Sequence, residues 1–353
     1  MKRLNRQFAA WVRLRRANRH RQSRPALRER GPVTHVIVLD GTMSSLSPGD
    51  ETNAGLTYKL LASEGPRASL SLYYDAGIQW QDWVSTHHVV LGYGLDRKIR
   101  HAYGFLASRY RPGDRIFLFG YSRGAFAARS LAGAIDRLGL LEARHATVRN
   151  VRQLWRHYEC APESVAAADF SRLHCHCDVP IEMIGVWDTV KALGVRLPLV
   201  WRLNEPTHAF HNHALGRHVK RGCHALAHDE NRLAFAPELW ETHGGNGGIV
   251  EQRWFPGSHG DVGGQLGGFS EARPRANVPL VWMLEHAEAA GLMLPDGWRE
   301  LFPQNIAAPS VGTWRGWAKL FLMRGRRRIG MDPSETFHPA IDRQADLAAL
   351  ATG

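Results

Sequence analysis

The segment RIFLFGYSRGAFAARSLAGAI, residues 115–135, constrains the fold of this chain more than any other part of the sequence. It is typical of a short apolar strand, a serine between two glycines, and a helix that begins at once. Residues 120–124 match Gly-x-Ser-x-Gly, the sharp strand-to-helix turn that exposes a nucleophilic serine. Gly120 and Gly124 leave room for the close approach of strand and helix. We therefore predict that Ser122 is a nucleophile.

Apolar runs alternate with helical patterns along the rest of the chain. Patterns of buried strands cover residues 34–42, 70–77, 115–120, 181–188 and 252–257, and helical patterns cover 99–110, 123–138, 151–158, 219–235 and 278–290. Because the strands are continuous apolar runs, we predict an α/β protein whose mostly parallel central sheet carries helices on both faces. With the serine turn, this is the pattern of the α/β-hydrolase fold.

A serine hydroxyl needs a base to take its proton and a carboxylate to orient that base. In this fold the three follow the order Ser, Asp or Glu, His. Asp188 ends the buried strand IGVWD, and His259 lies in the glycine-rich loop FPGSHGDVGG, so we predict them as acid and base. Asp261 is the alternative carboxylate, although its neighbourhood suggests that it holds the loop, and Asp40 precedes the serine. The competing histidines are less well placed: His211, His213, His224, His228 and His286.

An acyl-transfer site also needs hydrogen-bond donors for the oxyanion. One is the backbone N–H of the residue after the nucleophile, here Arg123. The other comes from a loop after an earlier strand, and the turn LDGTMS offers Gly41 or Thr42. This mechanism requires no cofactor and no metal. The tract HCHCD at residues 174–178 lacks the ligand spacing of a structural zinc site, so we expect a variable loop there.

Positive charge is concentrated in an N-terminal arm. Residues 1–30 hold eleven lysines and arginines against one glutamate, which accounts for most of the formal net charge of +12. One interpretation is a solvated, disordered tail. Another is a basic amphipathic helix for an anionic membrane surface, since Leu4, Phe8, Trp11 and Val12 share one helical face. Nucleic acid would also attract such an arm, but no nucleic-acid-binding motif follows it.

A second basic stretch covers residues 313–330, TWRGWAKLFLMRGRRRIG. Read as a helix, it places Trp314, Trp317 and Phe321 on one side, followed by a cluster of arginines. We expect either a membrane-interface helix or an ordinary packing helix with a cationic end.

Several blocks taken together resemble one family. They are VLDGT, YYDAGIQ, GYGLDRKIRHAYGFLASRYRPGDRIFLFGYSRGAFAARSLAG, IGVWDTVKALG, HALAHDENRLAFAPELW and QRWFPGSHGDVGG, between about residues 33 and 292. The family is the α/β-hydrolase domain that includes the type VI secretion phospholipase effectors of the first Tle class. The resemblance implies an esterase that uses Ser122, Asp188 and His259. The sequence departs from the family pattern at Lys191, Ser258, Gly260, Gln265 and Leu266, near these residues but not at them.

These observations predict a serine esterase, most simply a phospholipase A acting on membrane phospholipids. The alternatives are a soluble carboxylesterase and a membrane- or nucleic-acid-binding protein on an inert hydrolase scaffold. An effector would also need secretion and immunity partners. We expect an arm at residues 1–31, a catalytic domain at 32–345 with capping insertions near 140–175 and 190–250, and a tail at 346–353. No cleavable signal is evident, so we expect synthesis in the bacterial cytoplasm, then peripheral membrane binding or signal-independent export.

Overall fold

A computed structural model describes residues 30–77, 94–190, 214–242, 248–314 and 323–341. The strands are β1 (Thr34–Leu39), β2 (Leu70–Asp75), β3 (Arg115–Tyr121), β4 (Leu140–Leu141), β5 (Cys175–His176), β6 (Met183–Trp187), β7 (Arg221–Ala227), β8 (Ile249–Phe255) and β9 (Glu335–Phe337). The α-helices are α1 (Asn53–Ala62), α2 (Leu95–Ala107), α3 (Arg123–Leu138), α4 (Val148–Cys160), α5 (Val165–His174), α6 (His259–Gly263) and α7 (Arg273–Ala289). Short 3₁₀ turns occur at Ala143–His145, Leu233–Phe235, Ser270–Ala272 and Trp298–Leu301.

Seven strands form one sheet in the order β2-β1-β3-β6-β7-β8-β9. Each pair of neighbours in it is parallel, which confirms the predicted α/β class with a parallel central sheet. The chain leaves β1 for β2 on one side and returns to β3 on the other. Ligands bind beyond the carboxyl ends of the strands at such a reversal. Ser122 follows β3 and Asp40 follows β1, so both lie at this point.

Both faces of the sheet are buried, which explains the continuous apolar runs. Ile116 and Leu118 of β3 pack into the core shared with α2, α3, α4 and α5. Phe117 and Phe119, one residue out of phase, pack into the core shared with α1 and α7. Because alternate side chains of a strand point to opposite faces, a strand covered on both sides must be apolar throughout.

The predicted helix over residues 219–235 is wrong. Its first half is β7, which pairs with β6 and β8 near the middle of the sheet, and His224 in it is fully buried. A short apolar run buried on both faces has no alternation, so its periodicity does not separate a strand from a buried helix. The insertion expected over 190–250 therefore contains a central strand. Within it, residues 191–213 and 243–247 lie outside the described residues.

The stretch expected as an insertion near 140–175 forms α4, α5 and the antiparallel pair β4–β5. Helix α4 packs against α2 and α3, burying Leu154 and Trp155 in the same core. Within the described ranges, no helix is both long and apolar enough to cross a bilayer. The arm up to residue 29 and the tail at 346–353 lie outside those ranges, so their predicted roles stay predictions.

Candidate active site

Ser122 occupies a strained turn between β3 and α3. Its φ and ψ are 57° and −121°, a conformation that non-glycine residues rarely adopt. Both flanking glycines sit where a side chain would not fit. A Cβ at Gly120 would lie 2.6 Å from the Cα of Ala125, and a Cβ at Gly124 would overlap the carbonyl oxygen of Leu39. The strand and helix thus approach as closely as the glycines allow, and the serine is held at the tip of the turn.

The imidazole of His259 connects Ser122 to Asp188. His259 Nε2 lies 2.9 Å from Ser122 Oγ, and His259 Nδ1 lies 2.5 Å from Asp188 Oδ2. Asp188 follows β6 and His259 begins α6 just after β8, so segments at the carboxyl ends of β3, β6 and β8 supply the three side chains. With a proton on Nδ1 donated to Asp188, Nε2 accepts the hydroxyl proton of Ser122. The arrangement suits general-base activation of the serine.

Asp188 is completely buried, yet it is held ionised. Arg327 donates from Nη1 to Oδ1 at 2.6 Å and from Nη2 to Oδ2 at 2.8 Å, and the Ala227 N–H donates to Oδ1 at 2.9 Å. Burial by itself raises the pKa of Asp188. The charge and hydrogen bonds of Arg327 outweigh burial, with a further contribution from His259, so the pKa lies well below its usual range.

Two aromatic rings and a buried ion pair fix the position of His259. The rings of Tyr121 and Phe235 both pack on the imidazole, with centroids 4.8 Å away in each case. The His259 N–H donates to Glu230 Oε2 at 3.1 Å. Arg232 in turn donates to both oxygens of Glu230, at 2.7 and 2.6 Å. His259 is therefore held through its ring and through its backbone.

Asp261, the alternative acid, holds the loop. Its carboxylate accepts from the backbone and side chain of Ser258, both at 2.7 Å, and so closes the first turn of α6. The same carboxylate accepts from the hydroxyl of Ser310 and the N–H of Val311. These four bonds tie the loop that begins with His259 to a distant segment.

The three predicted oxyanion donors differ in what surrounds them. Gly41 lies beside Ser122, since a Cβ there would be 3.4 Å from the Cβ of Ser122, but its N–H donates to Asp40 at 2.7 Å. In this structure the Gly41 N–H is therefore directed at Asp40, and its role as an oxyanion donor stays a prediction. The hydroxyl of Thr42, the next residue, is buried and has no hydrogen-bond partner among the described residues. Arg123 is the first residue of α3, where backbone N–H groups are not used by the helix.

A buried carboxylate holds the turn that contains Gly41 and Thr42. Asp40 accepts from the hydroxyls of Ser44, Thr52 and Tyr74, at 2.7 to 2.9 Å, in addition to the Gly41 N–H. Burial raises its pKa in spite of these donors. Hydrogen bonds to Asp40 thus hold the turn after β1 where it approaches Ser122.

The competing histidines have other environments. His224 Nε2 accepts the Thr189 N–H at 3.0 Å, and burial lowers the pKa of His224 to about 3, so it is a neutral packing residue. His228 pairs with Asp229, and His286 packs on Trp282 in α7. His211 and His213 lie outside the described residues. In the part of the chain that the structure describes, no group of three His, Cys, Asp or Glu side chains is arranged to hold a metal ion.

The family model described as "T6SS, Phospholipase effector Tle1-like, catalytic domain" matches residues 34–286. The chain belongs to this family. The match covers β1 to most of α7. It includes Ser122, His259 and Asp188, which form a hydrogen-bonded relay. The resemblance recognised from the sequence blocks is confirmed, and the family is one of phospholipase-type hydrolase domains.

This Tle1-like domain is similar to parts of longer proteins. An uncharacterized protein of Saccharomyces cerevisiae is 31% identical over 205 residues, which are 50% of this chain and 30% of that protein. A crystal structure of an uncharacterized protein from Pseudomonas aeruginosa is 19% identical, with a TM-score of 0.43 over 78% of this chain and 49% of that one. A structure of the Tle1 effector bound to the VgrG spike is 18% identical, with a TM-score of 0.35 over 66% of this chain and 51% of that one. This chain spans about half or less of each relative.

The sequence pattern does not identify Arg327 as the partner of Asp188, and Arg327 lies beyond the residues 34–286 that the family model matches. The pattern over 313–330 places it at the cationic end of a helix. Residues 323–330 are instead irregular, Arg327 is buried, and the Arg324 guanidinium lies 3.9 Å over the ring of Trp314. The helix prediction is wrong for these residues, because a run of arginines looks the same whether it faces water or a buried carboxylate. Residues 315–322, with Trp317 and Phe321, lie outside the described part.

A cavity of about 550 Å³ adjoins the acid end of the relay. Arg327 lines it, together with apolar side chains that include Leu233, Pro237, Trp240 and Met331. Neither Ser122 nor His259 lines it. The described lining of the cavity therefore reaches Asp188 only through its partner Arg327.

Proposed function

We propose that this chain is a serine hydrolase that cleaves carboxylic esters through an acyl-enzyme, with membrane phospholipids as substrates in the manner of a phospholipase A. The observation that carries the proposal is the continuous hydrogen-bonded relay from Ser122 through His259 to Asp188. The strained turn at Ser122 supports it, because such strain is retained where a side chain must be presented for chemistry. Membership of a phospholipase effector family supports the substrate class.

In the first half of the proposed reaction, His259 Nε2 takes the hydroxyl proton of Ser122 while Oγ attacks the ester carbonyl carbon. Asp188 stays ionised and stabilises the imidazolium that forms. The backbone N–H of Arg123 and a hydrogen-bond donor group that belongs to Thr42 stabilise the oxyanion. The tetrahedral intermediate then collapses, the alcohol or lysophospholipid leaves with the proton from His259, and the acyl group remains on Ser122.

In the second half, His259 takes a proton from water, and the hydroxide equivalent attacks the acyl carbon. Collapse of this intermediate releases the fatty acid and returns the proton to Ser122. No cofactor takes part in either half. For an effector we further propose delivery by a secretion partner, an immunity protein in the producing cell, and membrane attraction through the basic arm.

The test is mass analysis of phospholipids incubated with the wild-type chain and with the Ser122→Ala variant, together with labelling by a serine-directed fluorophosphonate. We expect Ser122→Ala to lose label and to lower turnover by about 10⁴-fold or more. Ser130→Ala is the matched control, because Ser130 lies two turns further along α3 and donates to the Phe126 carbonyl. It should label and hydrolyse at wild-type rates.

Two outcomes would contradict the proposal in different ways. A wild-type chain that neither labels nor hydrolyses any ester would indicate an inert hydrolase scaffold. Labelling with turnover of monomeric short esters, but none of phospholipid in micelles or vesicles, would indicate a soluble carboxylesterase instead of a phospholipase.

A further inference from the structure

Arg327 makes four hydrogen bonds at the acid end of the relay. Besides the two to Asp188, its Nη1 donates to the Ala227 carbonyl at 2.7 Å and its Nη2 to the Phe235 carbonyl at 2.6 Å. Its exposed fraction is only 7%. The guanidinium therefore has fixed anchors in the fold and cannot follow Asp188 if the carboxylate turns.

The two oxygens of Asp188 have different partners. Oδ1 accepts from Arg327 Nη1 and from the Ala227 N–H, whereas Oδ2 accepts from Arg327 Nη2 and faces His259 Nδ1. A planar guanidinium paired with both oxygens fixes the plane of a carboxylate as well as its charge. Oδ2 is thus aimed at the imidazole, and part of its negative charge is already balanced before His259 becomes protonated.

We propose that Arg327 is a positioning residue of the relay, which fixes the Asp188 carboxylate towards His259 and limits how strongly that carboxylate stabilises the imidazolium. The inference rests on the proposed hydrolase function. It adds Arg327 to the relay as a fourth side chain. It also predicts that Arg327 affects the pH range in which His259 can accept a proton.

Other charged and titratable groups near the relay are balanced, neutral or held in place by hydrogen bonds. Glu230, against the His259 backbone, is paired with Arg232. His224 in β7 is neutral, because burial lowers its pKa to about 3. Tyr121 of β3 lies near enough to Asp188 and Asp40 for both carboxylates to raise its pKa, and Arg129 of α3 acts on His224. Arg327 is the cation in direct contact with Asp188.

Removing that cation should make His259 a stronger base. The guanidinium and the imidazole are joined through Oδ2 of Asp188 by contacts of 2.8 and 2.5 Å. At this short range and an effective dielectric constant of about 20, a unit charge corresponds to a pKa change of about one to two units. Without Arg327 the imidazolium is the remaining charged partner of the buried carboxylate, so protonation of the imidazole becomes more favourable. The acid limb of the kcat/KM profile then moves to higher pH by about one unit or more.

The experiment compares three full-length variants with the wild type. Arg327→Gln removes the charge, Arg327→Lys keeps the charge but not the two-pronged geometry, and Arg328→Gln is the matched control. Arg328 is the exposed neighbour of Arg327, so Arg328→Gln removes one positive charge at a position one residue away. Hydrolysis of a monomeric short-chain ester is measured from pH 5 to 9, and the imidazole of His259 is titrated by NMR in a Ser122→Ala background. A His259→Gln variant assigns the signal.

We expect Arg327→Gln to move the acid limb of kcat/KM and the midpoint of the NMR curve to higher pH by about one unit or more. Arg327→Lys should leave the acid limb of the kcat/KM profile within about 0.3 pH units of the wild type. It should lower the plateau value of kcat/KM about tenfold, because an ammonium group does not match the two oxygens of Asp188. Arg328→Gln should superimpose on the wild type. An Arg327→Gln protein that melts cooperatively and keeps the wild-type limb and the wild-type midpoint of the NMR curve would overturn the proposal. If Arg327→Gln does not fold, Arg327→Lys with a wild-type plateau would overturn it.

The two readouts separate this inference from the proposed function. The NMR titration needs no turnover. If the wild-type chain hydrolyses no ester but His259 shifts in Arg327→Gln, the hydrolase proposal fails and the positioning role stands. If the wild-type chain hydrolyses esters and neither readout shifts, the positioning role fails alone.

Discussion

The close approach of α3 to β1 leads to a prediction in which one substitution has opposite effects at two helical glycines. Gly104 lies in α2 and Gly124 in the first turn of α3, both with ordinary helical backbone angles. A Cβ at Gly104 would meet only Val151 Cγ2, at 3.9 Å, which is normal van der Waals contact. A Cβ at Gly124 would overlap the carbonyl oxygens of Leu39 and Asp40 and lie 2.5 Å from the carbonyl carbon of Leu39.

The magnitudes follow from these contacts. Alanine in a helix is better than glycine by about 0.5–1 kcal/mol, so Gly104→Ala should raise Tm by about 1–3 °C. At Gly124 the same gain is offset by a clash that needs about 1 Å of movement to reach normal carbon–carbon separation. Overpacking of this kind costs about 1–3 kcal/mol or more, so we expect a net loss of about 2 kcal/mol and a Tm lower by about 5 °C. A 1 Å shift of the serine turn should also lower activity about 100-fold.

Thermal unfolding and the rate of fluorophosphonate labelling measure the two effects separately. Gly104→Ala should label at the wild-type rate, whereas Gly124→Ala should label slowly even at temperatures where it is fully folded. A Gly124→Ala protein as stable and as reactive as Gly104→Ala would refute the argument that steric contact between α3 and β1 sets the position of Ser122.

Two further predictions concern stability. Below pH 6.5 the unfolded chain binds a proton at His224 that the folded chain, with a His224 pKa of about 3, does not, so stability falls as pH drops through this range. Between pH 6.5 and 5 the wild type should therefore lose about 2 kcal/mol more unfolding free energy than His224→Gln, and its Tm should fall further. Parallel curves of Tm against pH would contradict this. Thr52→Val removes the hydroxyl that donates to Asp40 and caps α1, and urea unfolding should show a loss of about 2–3 kcal/mol. Thr57→Val, whose hydroxyl donates only to the Asn53 carbonyl, should lose less than about 1 kcal/mol, and equal losses would show that Asp40 does not depend on Thr52.

The sequence alone determined the features that are encoded within one contiguous stretch. The strand, the serine turn and helix Arg123–Leu138 follow from local periodicity and from two glycines, and the helix has its predicted ends. The alternation of apolar runs and helical patterns was sufficient for the parallel α/β class. The order of Ser122, Asp188 and His259 along the chain identified residues that the structure brings within hydrogen-bond distance.

Only the tertiary structure decided which neighbours each of these residues has. β7 is a strand because β6 and β8 flank it, and no local periodicity in its own sequence records that burial. Arg327 reaches Asp188 across 139 positions, and the Gly41 N–H is taken up by the carboxylate of Asp40, whose position depends on Thr52 and Tyr74. The physical reason is that local pattern sets backbone conformation, whereas the charge, burial and orientation of a side chain depend on groups far away in the chain.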